Sequence, residues 1–147
     1  MRGIFTAFMA LLLCSPCLAL EPNPAMSPEQ VVRYQLESLQ ANNGNDDGIA
    51  ATFDFASPAN KRMTGPLSRF KGLFDLPRYA PMLNHRLAEI ELIANDGQRA
   101  RFNVALIDSN GSIHQYRFEL SRQPGGSCTN CWMTDSVMWT PMPGQSA

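Results

Sequence analysis

The chain is poor in the residues that most often carry chemistry. Only two of its 147 residues are histidine, His85 and His114, and neither has a second histidine at metal-ligand spacing. No glycine-rich phosphate loop and no serine-elbow motif occurs, so the common nucleotide and acyl-transfer signatures are missing. Charged residues make up 17%, with twelve Lys and Arg against thirteen Asp and Glu. Such a mixed, near-neutral chain lacks the basic face that phosphate neutralisation needs, which argues against nucleic acid as a partner. No repeat or low-complexity tract is visible. No motif asks for a cofactor, and no set of ligands asks for a metal.

The one long apolar run lies at the start. Arg2 gives a positive beginning, Ile4 to Leu13 is apolar but too short to span a bilayer, and Ala19 suits the last position before a cleavage. Residues 1–19 therefore read as a cleavable export signal. A lipoprotein reading through Cys14 or Cys17 is weaker, because Leu13 and Pro16 precede them where a small residue is expected. Cleavage would remove Arg2, leaving eleven basic residues against thirteen acidic and a net charge of −2. The expected product, Leu20 to Ala147, has a length suited to one domain in the periplasm or outside the cell, with no membrane attachment once the signal is gone.

Within it, residues 20–26 read as a flexible Pro-rich lead, 27–140 as one domain and 141–147 as a disordered tail. Ser27-Pro28-Glu29-Gln30 is a strong helix start, with serine to cap, proline at the first helical position and Gln30 to close a capping box. Val32, Leu36 and Leu39 stripe one face of a helix over Pro28 to Asn42, ended by Asn43-Gly44. A shorter helix from Asp46 or Asp47 buries Ile49 and Phe53 and stops before Ser57-Pro58. A third starts at Thr64-Gly65-Pro66 and carries Leu67, Phe70, Leu73 and Phe74. Leu76-Pro77 and Pro81 then break the chain into an irregular link.

Four strands follow: Arg86–Ala94, Gln98–Asp108, Ser112–Arg122 and Cys131–Trp139. Alternation puts Ala88, Ile90, Leu92 and Ala94 on one face of the first, and Ala100, Phe102, Val104 and Leu106 on one face of the second. For those faces to meet, each connection must hold an odd number of residues. Asn95-Asp96-Gly97 and Ser109-Asn110-Gly111 are each three long with glycine last, the chemistry of a type I turn closed by a left-handed residue. This register sets Glu91 opposite Arg101, and Arg101 opposite Glu119. The expected fold class is α+β, with N-terminal helices packed on a curved four-stranded antiparallel meander.

On the third strand the inward face reads His114, Tyr116, Phe118, Leu120 and Arg122; on the fourth, Met133, Val137 and Trp139 share a face with Asp135. That pairing sets Asp135 across from Phe118 and diagonal to Tyr116. An acid and a phenol in an apolar hollow could transfer protons, since burial raises the carboxyl pKa and the phenol can donate to developing charge. The commoner arrangement has Asp135 capping a helix or pairing with Arg122 or Arg69, and Tyr116 as a core aromatic. His114 falls at the open end of the sheet near Trp139, where a lone histidine is more often a rim residue than a base.

Cys128-Thr129-Asn130-Cys131 is the one recognisable short motif. Trp132 follows it where haem attachment needs histidine, and no second pair completes a zinc site. In an oxidising compartment a disulfide is the default, which requires a turn at Thr129-Asn130; redox and metal roles stay open as alternatives. Met133, Met138 and Met142 match no ligand set and read as gap fillers.

Phe55-Ala56-Ser57-Pro58-Ala59-Asn60, Thr64-Gly65-Pro66 with Arg69-Phe70, Tyr79-Ala80-Pro81-Met82-Leu83, Leu120-Ser121-Arg122-Gln123 and Cys131-Trp132-Met133-Thr134-Asp135-Ser136-Val137 together resemble the domain of unknown function 4864 family. The resemblance covers about Ser27 to Val137. It implies a cystatin-like, nuclear transport factor two-like cone, in which helices close over a curved sheet. It transfers no catalytic residue. It also implies that Cys131 is typical of the family and Cys128 less so.

Three functional readings follow. The first is a non-catalytic pocket domain that binds a small apolar or weakly polar ligand or a partner protein. The second is an isomerase- or dehydratase-type enzyme using Asp135 and Tyr116. The third is a module that forms a homodimer through the outer sheet face, where Ile107, Ile113 and Ala105 cluster.

Overall fold

A computed structural model describes residues 19–144; the expected export signal up to residue 18 and the end of the expected tail fall outside the described residues. Four helices, α1 (Pro28–Gln40), α2 (Asp47–Asp54), α3 (Pro58–Thr64) and α4 (Leu67–Gly72), precede four strands, β1 (Leu87–Asn95), β2 (Arg99–Ile107), β3 (Ile113–Arg122) and β4 (Trp132–Thr140). The strands form one antiparallel sheet in the order β1-β2-β3-β4. The fold is α+β, with the helices packed against a four-stranded antiparallel meander. No helix among the described residues is long and apolar enough to cross a membrane.

The capping box forms as read. Ser27 Oγ accepts from the Gln30 amide at 3.2 Å, and Gln30 Oε1 accepts from the Ser27 amide at 2.8 Å. The helix ends at Gln40, short of the expected Asn42, where the Asn42 amide bonds Leu39 O and tightens the last turn out of the α-helical pattern. One helix was not foreseen. Ser57-Pro58, taken as a stop for α2, also starts α3, with Ser57 Oγ accepting from the Asn60 amide. The expected third helix is α4, continued by a 3₁₀ turn over Leu73–Asp75.

Val31, Val32, Leu36 and Leu39 of α1 pack with Phe102, Val104 and Leu106 of β2 and with Tyr116, Phe118 and Leu120 of β3. Each of these side chains is 2% exposed or less. Burying a side chain of this kind is worth about 1.5–3 kcal/mol, so the shared face is what holds the layers together. The lead is less free than its composition suggests: Met26 joins this cluster, and the Asn23 side chain folds the preceding turn by accepting from the Ala25 amide. A buried polar chain crosses the same interface. Thr134 Oγ1 donates to Gln35 Oε1 at 2.7 Å, Gln35 Nε2 donates to Thr52 O, and Thr52 Oγ1 donates to Gly48 O. It ties β4 to α1 and α2 with the donors on its path satisfied.

The two hairpin turns diverge. The second behaves as read: Ile107 pairs with Ile113, the Gly111 amide donates to Asp108 O, and Gly111 has φ 90°. Phe102 and Phe118 are directly opposed on the helix side, and Arg101 meets Glu119 at 3.3 Å. The first turn does not keep its expected register. Glu91 pairs with Asn103 rather than Arg101, and Asn95 pairs with Ala100. Asp96 Oδ1 accepts from the Gln98 and Arg99 amides, which draws the turn one residue later and places Gly97, φ 86°, early in it. A bulge between Leu92 and Ala94 then restores the apolar faces, so parity is kept by the strand instead of the loop.

Candidate functional site

The expected acid–phenol couple is not assembled. Pairing of β4 begins with Trp132 opposite Arg122, since Cys131 is held in its own turn and its carbonyl accepts from the Gln123 amide. A second bulge follows between Glu119 and Leu120, with Leu120 opposite Thr134, Glu119 opposite Ser136, and Asp135 as the extra residue. Val137, not Asp135, therefore faces Phe118, and Thr134 and Trp132 take the inward positions expected for Asp135 and Met133. Asp135 instead lines a depression on the outer sheet face with Arg101, Glu119 and Ser121. It has no ion pair or hydrogen bond among the described residues, so the expected pairings with Arg122 and Arg69 are absent too.

Tyr116 lies on the other side of the sheet, 1% exposed, with its hydroxyl donating to Arg78 O at 2.8 Å. Burial pushes its pKa well above the ordinary phenol value. A phenol that is sealed in and already bonded to a backbone carbonyl is a core aromatic with a satisfied tip. Trp139 sits opposite Tyr116, half-buried, with the Arg78 guanidinium 5.6 Å from its ring centre.

Arg122 is a strut between loops. Its Nε donates to Gly97 O, its guanidinium also reaches Asn130 O, and it lies 5.0 Å over the Trp132 ring. The Cys128 and Cys131 sulfurs are bonded, with their Cα atoms 5.6 Å apart, across the turn at Thr129-Asn130 that bridging required. His114 has a partner that the reading of the sequence lacked. Its Nε2 lies 2.7 Å from Asp108 Oδ2, while Asp108 Oδ1 accepts from the Asn110 and Ser112 amides. The His114 bond, then the Ser112 amide, hold the Asp108 carboxyl below its ordinary pKa. The signal was present: a three-residue turn sets Asp108 one diagonal step from His114. The pair orders a turn and has no nucleophile bonded to it. His85 is buried, with Nδ1 2.8 Å from Met82 O.

The larger open spaces lie on the sheet face turned away from the helices. One depression, about 640 Å³, has Arg101, Glu119 and Asp135 among its walls. The other, about 490 Å³, spreads over Glu89, Glu91, Asn103, Gln115 and Arg117. Arg117 pairs across the sheet with Asn103 and Met138, and its Nε is buried without a hydrogen-bond partner. A buried donor left unpaired costs about 1–3 kcal/mol, more when charged. Among the described residues no cluster of His, Cys, Asp and Glu could hold a metal ion. No protein-family model matches the chain, and no curated protein matches it either.

Proposed function

We propose that the protein is a non-catalytic binding module, secreted or periplasmic after loss of its export signal, that holds a polar ligand or partner segment on the open face of its sheet. The observation that carries this reading is Arg117. Its unpartnered Nε lies under a depression that also presents Glu89, Glu91, Asn103 and Gln115. Beneath the helices Val31, Phe55, Phe102 and Phe118 are each at 1% exposure or less, which favours the open face over the small apolar ligand expected from a cone. Charges of both signs on the open face suit a ligand with an acceptor at one end and a cation at the other, as in amino acids and short peptides. Kinship with the domain of unknown function 4864 family, and the cone fold it implies, remain part of this proposal on the residues quoted for them.

The test is an NMR titration of the labelled protein with free amino acids, dipeptides and dicarboxylates. Amide shifts are expected at Glu89–Glu91, Asn103–Ala105 and Gln115–Arg117, and Arg117→Met should abolish them without lowering the melting temperature. Shifts confined to Phe102 and Phe118, or indifference to every probe, would overturn the reading.

A further inference from the structure

The two edges of the sheet are treated differently, and the difference points to a second mode of binding that shares Glu89 and Glu91 with the sheet-face depression but does not depend on Arg117. Segment Phe55–Ser57 runs along the start of β4: the Thr134 amide donates to Phe55 O at 2.9 Å and the Ser57 amide donates to Thr134 O at 2.8 Å. Further along, the Tyr79 hydroxyl donates to Val137 O at 3.2 Å. Nothing comparable covers β1. Among the described residues, no hydrogen bond from another element reaches the outward side of Leu87–Ala94, and seven of the nine residues of β1 are exposed. A nine-residue strand with a free row of amides and carbonyls is a template for another strand.

Its side chains say what kind of strand. Glu89 and Glu91 project on the outer face, and neither has a cation within ion-pair distance among the described residues. On the inner side, Ile90 is half-buried and Leu92 is 52% exposed. There a groove of about 150 Å³ of mixed character runs between β1 and α1, with Leu36, Ala88 and Ile90 beside Glu37, Gln40 and His85 among its walls. The two arginines at its ends are already engaged, Arg33 with Glu29 and Arg86 with Ser109 O. An incoming strand would thus meet carboxylates on one face and, on the other, a groove in which Leu36, Ala88 and Ile90 alternate with the polar Glu37 and Gln40. A second copy of β1 fits badly. Twofold antiparallel pairing centred on Glu89, Ile90 or Glu91 sets carboxylate directly against carboxylate, which is destabilising.

We infer that the β1 edge docks an extended segment of another protein by strand addition, with Lys or Arg at alternate positions and aliphatic residues between them. The backbone ladder would provide affinity, and the alternation would provide selectivity. The basic side chains lie over Glu89 and Glu91, and the aliphatic ones enter the groove beside Leu36 and Ile90.

The experiment uses the full purified chain and two capped ten-residue peptides, one alternating lysine with valine and one alternating glutamate with valine. Amide hydrogen exchange is followed at every residue. With the lysine peptide at about ten times its Kd, exchange across Leu87–Asn95 should slow roughly tenfold while Thr134 is unchanged. Glu89→Lys with Glu91→Lys should transfer the preference to the glutamate peptide. Arg117→Met should leave the lysine peptide bound, which separates this surface from the ligand site on the sheet face. No binding, equal binding of both peptides, or protection away from β1 would overturn the inference. So would a dimer in ultracentrifugation that Ile93→Lys dissolves.

Discussion

The β4 and β1 edges belong to one sheet and have met opposite fates. At β4 a loop and a tyrosine hydroxyl engage the outward groups of Thr134 and Val137, while a buried glutamine–threonine bond ties the inward face of the strand to the core. At β1 no hydrogen bond from another element among the described residues reaches the outward groups, and two glutamates and a bulge are what discourage a chance partner. Sheet edges are sealed where helices and links pass close and are left available where they do not. Here α3 and the Phe55–Ser57 segment lie against β4, while α1 packs beside β1 without bonding its outward groups. Covered backbone contributes to stability, whereas uncovered backbone is available for recognition.

The largest expected effect comes from cutting the polar chain that anchors β4 behind its covered edge. Thr134→Val removes the hydroxyl that serves Gln35 and leaves a buried amide oxygen unpaired, so urea denaturation should show a loss of about 1–3 kcal/mol. No measurable loss would mean that the polar chain does not hold β4 to α1 and α2.

The central β2–β3 hairpin is the reference for both edges, and its turn carries an acid dependence. The folded pKa of Asp108 lies below its unfolded value, so its contribution is present above the ordinary carboxylate pKa of about 4 and is lost as pH falls through the folded value. Melting temperatures measured downward from pH 5 should therefore fall less steeply in Asp108→Asn than in the parent. Parallel acid limbs would show that Asp108 is not held low.

Tyr79→Phe deletes one half-buried bond to the β4 edge and should cost about 0.5–1.5 kcal/mol. On the open edge, Ile93→Lys should change stability by no more than about 0.5 kcal/mol, because the side chain is 44% exposed at a bulge. If the β1 substitution costs as much as the β4 ones, the two edges are not different in the way described.

Much of this was legible in advance. Local chemistry acts over a few residues: the Ser27–Gln30 capping box, the Gly111 turn, the alternation that places Phe102 and Phe118 on one face, and the Arg101–Glu119 pair all followed from spacing alone. So did the turn that lets Cys128 and Cys131 meet. The acid–phenol couple was misread for a reason of the same scale. One bulged residue, Asp135, exchanges the two faces of a strand, and side-chain alternation cannot show where a bulge falls.

By itself the sequence determined the class of fold, the order of its elements and which faces are apolar, since each depends on neighbours a few positions apart. Only the tertiary structure decided that Asp135 leaves the interior, that Arg117 Nε is buried without a partner, and that β4 is sealed while β1 stays open. Those outcomes depend on where Phe55–Ser57 and the Tyr79 turn come to rest against strands far along the chain. Such long-range placement is set by packing as a whole, and no local pattern encodes it.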